Sequence, residues 1–239
     1  MLKYFFLILP IIGFSQKAVR VEYEVYQKFD RSVIKQPTSK VTEMLNNSDD
    51  KRYYYELFAN NNNSNFHKID QINNAQNRAT SAIGLPTIIS SDIYKDFKSK
   101  ELYENNEMKP KLFIKDSIQT FPWVLSKEET TILGYRVRKA TYTNPTQTVE
   151  AWYAPDLPFR DGPSRFNGLP GLILQINFEV TMAVNFVSNV SFTAIDVKPY
   201  NGVIELPKKA IKVSKEEFNQ EIEKKSSKFS GIYSGVEKD

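Results

Sequence analysis

The chain has 239 residues, 41% of them hydrophobic, 25% charged and 13% aromatic, with a formal net charge of +4. That length suits one large domain or two small ones, and the basic and acidic residues are interspersed, so no electrostatic footprint for nucleic acid exists. There is no cysteine, which excludes disulfides, thiol chemistry and the lipid-bearing cysteine of a bacterial lipoprotein.

The first fifteen residues read as a processing signal. Lys3 supplies a charged start, Tyr4–Ile12 is an apolar stretch too short to span a bilayer, and Gly13-Phe14-Ser15 sets small residues before Gln16. The expectation is a signal peptide over 1–15, one β-rich domain over 16–230 and a loose tail over 231–239. The mature chain, without a transmembrane segment, would then be exported to the periplasm, the outer-membrane surface or the medium.

From residue 19 the pattern is that of strands. Val19, Val21, Tyr23 and Val25 alternate with Arg20, Glu22, Glu24 and Tyr26, the period of a half-buried strand. Arg52–Phe58 predicts a second strand, Asn60–Ser64 a polar turn, and Phe66–Ile69 a return to the sheet. Residues 70–92 have no period and predict a long connection. Ile93–Phe97 and Leu112–Ile114 are short strand candidates. Thr131–Thr143 and Thr148–Ala154 flank Asn144-Pro145-Thr146-Gln147 and predict a hairpin, and Leu172–Val180 with Ala183–Val197 form a second long pair. One helix is expected, near the end: Ser214-Lys215-Glu216-Glu217 is a capping box, Phe218 and Ile222 share a face, and Lys224, Lys225 and Lys228 complement the helix dipole. The fold class that results is mainly β: a curved, half-barrel-like antiparallel sheet of about seven to nine strands with a C-terminal helix.

One stretch stands apart, "FRDGPSRFNGLPGLILQI" at 159–176. Gly168 and Gly171 permit backbone angles that side chains forbid, and Pro170 biases Leu169 toward an extended conformation. Leu172-Ile173-Leu174 has no polar alternation, so the strand that follows starts with both faces covered. The stretch reads as a strand-entry turn. A phosphate-binding glycine loop would open a helix, and this one opens a strand.

At this point the chain resembles the GLPGLI family. The match "GLPGLIL" over Gly168–Leu174 is complete and extends back through "AWYAPDLPFRDGPSRFN". Trp123 and "ILGYRVRKAT" (Ile132–Thr141) are similar to the family's Trp and Gly-Tyr-x-x-x-Lys-Ala segment. Family members often carry a cysteine two residues after that tyrosine, where this chain has Val137. The resemblance implies exported proteins of Bacteroidetes-type bacteria without an established activity. It transfers a compartment and a fold, with Asp161, Gly162, Pro163, Gly168, Leu169, Pro170 and Gly171 as a structural motif.

The inventory leaves little for catalysis. His67 is the only histidine, so a zinc site would need further ligands with no cysteine or second histidine to give them, and a Ser-His-Asp arrangement would have to use His67 although no Gly-x-Ser-x-Gly elbow exists. No catalytic residue, metal or cofactor is expected. Asp156 and Asp161 could in principle act as an acid–base pair, yet Asp161-Gly162-Pro163 is also good turn chemistry, with the Asp side chain accepting from nearby backbone N–H groups. Trp152 and Tyr153 must point to opposite faces of their strand, and the run Tyr53-Tyr54-Tyr55 must expose a ring, so Trp152, Tyr153 and Tyr54 are the candidates for binding a ligand or partner. The reading is an envelope protein that binds an apolar small molecule or an outer-membrane or envelope protein partner. A carboxylate-dependent hydrolase is the alternative, and a purely structural protein the third.

Overall fold

The side chains of Val19, Val21, Tyr23 and Val25 are fully buried while those between them are half-exposed, as the period of two requires. They belong to β1 (Ala18–Phe29), which lies at the middle of a single sheet. The structure, a computed structural model, describes residues 17–34, 37–49, 52–69, 92–106, 109–182, 186–205 and 210–221. The expected signal peptide, most of the connection over 70–92, the C-terminal tail, and Ile222, Lys224, Lys225 and Lys228 lie outside them.

On one side of β1 the chain meanders outward through β2 (Arg52–Asn60), β3 (Asn63–Lys68), β4 (Ile93–Asp96), β5 (Glu101–Asn106) and β6 (Lys109–Ser117). It then jumps to the far edge and returns through β7 (Val124–Ile132), β8 (Tyr135–Thr143), β9 (Thr148–Ala154), β10 (Leu172–Met182) and β11 (Phe186–Pro199), which closes on β1. A last strand, β12 (Ile211–Ser214), adds to β6 in parallel, whereas every other described pairing is antiparallel.

The jump from β6 to β7 dictates the shape of the sheet. The two strands stand ten places apart in the order, about 48 Å along the sheet at the usual strand spacing of about 4.8 Å. Only Ile118–Trp123 connects them, and so short a link spans at most about 25 Å. The sheet must therefore curl until its two flanks approach each other. Ring contacts agree. Phe192 of β11 lies 6.2 Å from Phe66 of β3, although the two strands are three places apart, about 14 Å in a flat sheet. One face is concave, and the connecting segment crosses it.

Twelve strands replace the expected seven to nine. The three that the pattern passes over are β5, β7 and β12, all polar or at a sheet edge where alternation fades. The expected run Thr131–Thr143 takes in all of β8 and only the last two residues of β7. The two strands are separated by Leu133 (φ 52°) and Gly134 (φ 81°), a two-residue turn with both residues in the left-handed region, as the twist of a tight hairpin demands. The turns expected at asparagines are present: Asn60 Oδ1 accepts from the amides of Asn62 and Asn63 at 2.7 and 2.9 Å, and Asn144 Oδ1 from those of Thr146 and Gln147 at 2.9 Å each.

The helix content differs as well. An unforeseen α1 (Ser39–Asp49) follows β1 and packs on it, with Leu45 buried. Thr38 caps it, its Oγ1 accepting from the Val41 amide at 3.3 Å. Near the end the capping box forms as read. The Ser214 amide donates to Glu217 Oε2 at 2.8 Å, the Glu217 amide donates to Ser214 Oγ at 3.1 Å, and residues 215–221 are helical.

The opposite, convex face is covered on the β3–β6 side by the chain that leaves β11. Ile204 and Tyr200 settle against Tyr94, Tyr103 and Phe113 in a second small core, anchored where Asn63 Nδ2 donates to the Ile204 carbonyl at 2.9 Å. Tyr103 is buried there and donates to Glu101 Oε2 at 2.7 Å; burial first, then that carboxylate, push its phenol up to about 12. The folded chain keeps a proton that the unfolded chain releases from about pH 10. Stability from this group is therefore present below about pH 10 and is lost as pH rises through about 12. Guanidinium unfolding midpoints measured from pH 9 upward should fall across that interval. The fall should be smaller in Tyr103→Phe, and an equal fall in both proteins would contradict the assignment.

Candidate functional site

Between Ala154 at the end of β9 and Leu172 at the start of β10 the chain makes an excursion over the concave face. Its apolar residues Leu157, Phe159, Phe166 and Leu169 are buried in the main core. Asp161 and Asn167 pair as an isolated antiparallel bridge, and the Gly168 amide donates to the Arg160 carbonyl at 3.0 Å, so the excursion is closed on itself. The link from β6 to β7 packs beside it. Phe121 lies 5.4 Å from Phe166, and Trp123 Nε1 donates to the Asn167 carbonyl at 2.9 Å. The concavity is thus filled by the protein's own aromatic side chains.

The glycine–proline motif ends this plug. Leu172, Ile173 and Leu174 are all fully buried, the dry strand entry that the sequence suggests. The amides of Leu172 and Ile173 donate to the carbonyls of Leu157 and Asp161, each at 3.0 Å, so these motif groups are engaged internally. Gly171 presses against the end of β9: a Cβ placed there would lie 2.3 Å from the Ala154 carbonyl oxygen.

Asp161 departs from the turn reading. Its carboxylate does not cap a local turn. It reaches across the concave face to Lys95 of β4, whose Nζ lies 2.6 Å from Asp161 Oδ1, and both side chains are excluded from solvent. Lys95 Nζ also donates to the carbonyls of Gly162 and Phe166 at 3.1 and 3.2 Å. Pro163 contributes its carbonyl to the Phe166 amide at 3.2 Å. Burial pulls the Lys95 ammonium below the ordinary lysine value, against the opposing pull of Asp161. The phenol of Tyr23, which donates to the Ile173 carbonyl at 2.6 Å, is pushed well up, by burial first and then by Asp161. A second charge contact joins the plug to the sheet, where Arg165 pairs with Glu104 and, at 3.5 Å, with Asp116.

The binding candidates read from the sequence do not meet. Tyr153 is in the main core. Trp152 lies on the other face, half-buried beneath Lys139 Nζ, with its Nε1 donating to Glu150 at 3.1 Å. Tyr54 is also on that outer face and donates to Glu24 at 3.2 Å. His67 is half-buried in β3, stacked on Phe58, with Nε2 3.6 Å from Glu56. Asp156 is exposed while Asp161 is locked to Lys95, so the two do not form an acid–base pair.

What remains open is a cleft of about 740 Å³ at one end of the sheet, which sequence reasoning missed. It lies where the β2–β3 turn, the β4–β5 turn, the start of the β6–β7 link and the plug meet. Phe97, Ile118, Phe121 and Pro158 give it apolar walls. Lys100, Arg160, Asn60, Gln119 and Asn167 supply polar groups, and among the described residues no carboxylate lines it. Asn167 is fixed by donating its Nδ2 to the carbonyls of Gln119 and Arg165 at 3.2 and 2.9 Å, and Arg160 is steadied by donating to the Gly168 carbonyl at 3.2 Å. A volume of this size and mixed lining suits a small-molecule site. Neither Asp156 nor Asp161 lines it.

The class defined so far is a curled antiparallel sheet, plugged by its own chain, with a ligand-sized cleft beside the plug. The family match falls on the plug. A family described as a protein of unknown function (Porph_ging), which is Bacteroidetes-associated, matches residues 144–175, and this bears out the resemblance read from the GLPGLI motif. No curated protein matches the sequence. Among solved structures, PNGF-II in a C2 crystal form is similar at a TM-score of 0.53, with 18% identity over 83% of this chain and 31% of that one. The P21 form of PNGF-II gives 0.52 and 18% identity, over 85% of this chain and 32% of that one. The LolA superfamily protein NE2245 from Nitrosomonas europaea gives 0.30 and 13% identity, over 82% of this chain and 90% of that one. This chain therefore spans about a third of the length of PNGF-II, and the likeness shows the fold alone.

Proposed function

We propose that the protein is an exported, ligand-binding component of the cell envelope, and that its site is the cleft beside the plug. The observation that carries this reading is the contrast between a concave face packed with aromatic side chains and an adjoining cleft of about 740 Å³ left open between four chain segments. Its apolar walls would hold the body of a small molecule, and its fixed amides and cations would orient it. Export rests on the order of charged, apolar and small residues over 1–15. Among the described residues, no helix is long and apolar enough to cross a membrane.

Mass spectrometry of the full chain purified from its own envelope, before and after organic extraction, should release a bound small molecule. Thr120→Trp, which fills the cleft from an exposed position, should lower its occupancy at least about ten-fold while leaving the unfolding midpoint of the ligand-free protein unchanged. Protein recovered empty from its native envelope, or an unchanged occupancy in Thr120→Trp, would overturn the reading.

A further inference from the structure

The chemistry of the cleft narrows its ligand. We infer that the ligand is an anionic amphiphile, a carboxylate or phosphate head on an apolar body; this rests on the cleft being the binding site. Two cations, Lys100 and Arg160, line the cleft, and among the described residues no acidic side chain does. Neither cation is neutralised: among the described residues Lys100 has no ion pair, and the contact of the Arg160 guanidinium is to the Gly168 carbonyl. The nearby carboxylates are committed elsewhere. Asp96 accepts from the amides of Lys98 and Ser99 at 2.9 and 3.2 Å, and Glu101 pairs with Lys115 at 2.5 Å and accepts from Tyr103.

Asn60 adds a donor of the same kind, whereas Asn167, whose Nδ2 is spent on the Gln119 and Arg165 carbonyls, presents its Oδ1. Asn60 spends its Oδ1 on the turn amides of Asn62 and Asn63, which leaves Nδ2 to donate. A rim so rich in donors suits an acceptor without hydrogens of its own, which is an anion. A neutral head would leave the charges of Lys100 and Arg160 unanswered. Phe97, Ile118, Phe121 and Pro158 are the apolar counterpart, for the part of the ligand that carries no charge. Lys100 is held at φ 59°, in the left-handed region, within the β4–β5 turn whose Phe97 amide donates to the Asn62 carbonyl at 2.8 Å. The turn that presents the cation is thereby tied to the turn that presents Asn60.

Titration calorimetry of the full chain with dodecanoate, dodecyl phosphate, 1-dodecanol and inorganic phosphate tests both parts. The two anionic amphiphiles should bind at least about ten-fold more tightly than 1-dodecanol or inorganic phosphate. Lys100→Gln combined with Arg160→Gln should bring dodecanoate down to the level of 1-dodecanol. Equal binding of 1-dodecanol and dodecanoate would overturn the anionic head and keep the cleft as the site. Inorganic phosphate as tight as dodecyl phosphate would overturn the apolar body. If Thr120→Trp fails to weaken whichever probe binds, or if none binds, the inference falls together with the cleft itself.

Discussion

Gly171→Val should cost the fold about 3 kcal/mol or more, a large fraction of the stability of a domain this size. The obstruction is backbone and not a side chain that could swing away. A Cβ at 171 would lie 2.3 Å from the Ala154 oxygen, 2.7 Å from the Ala154 carbon and 3.0 Å from the Pro155 Cα. Those atoms cannot retreat cheaply. Ala154 is paired with Leu172 across β9 and β10, and its carbonyl also accepts from the Leu157 amide at 3.1 Å. Making room would unpin both the register of that strand pair and the entry to the plug. Gly134→Ala is the matched control, because a Cβ there meets nothing within 4 Å and only the positive φ of 81° resists it. That change should cost about 1 kcal/mol. Urea unfolding of both variants decides the matter. A Gly171→Val protein as stable as the parent but deficient in ligand would move the motif from architecture to recognition.

The parts of this molecule that were legible in its sequence are those whose physics is local. The alternation of Val19 to Val25, the asparagine turns at 60 and 144 and the capping box at Ser214 each depend on residues within a few positions of one another. β7 escaped because Leu-Gly is a poor advertisement for a turn, and because an edge strand exposed on both faces shows no alternation. Among the described side chains of the helix at Ser39–Asp49 only Leu45 is buried, so its apolar stripe is faint. The site is harder still. Asn60, Lys100, Phe121 and Arg160 come together only because the short link from β6 to β7 forces the sheet to curl. One clue was in plain view: Ile93 and Lys95 share a strand face, and a lysine on an inward face needs a buried acid. Which acid could not be read, since Asp161 lies 66 residues away.

Lys95→Met should destabilise the protein by about 3 kcal/mol, and the loss should come chiefly from the carboxylate left behind. Methionine nearly preserves the volume of the lysine stem, so packing changes little. Asp161, however, would keep its charge in a site with 1% exposure, with Oδ2 already lacking a hydrogen bond among the described residues and Oδ1 newly deprived of Lys95. Removing that charge as well, by adding Asp161→Asn, should recover part of the loss, so the double variant should be more stable than Lys95→Met alone. The deficit should also depend on pH in a defined sense. An unpaired buried carboxylate has its folded-state affinity for a proton raised above that of the unfolded chain. Its contribution is therefore favourable below the unfolded value of about 4 and is lost as pH rises. The gap between Lys95→Met and the double variant should narrow toward about pH 4, where the stranded carboxylate takes up a proton. Denaturant midpoints at a series of pH values measure both. A Lys95→Met deficit that is independent of pH and unrelieved by Asp161→Asn would mean that the ammonium acts through its hydrogen bonds to the Gly162 and Phe166 carbonyls, holding the plug by backbone rather than by charge.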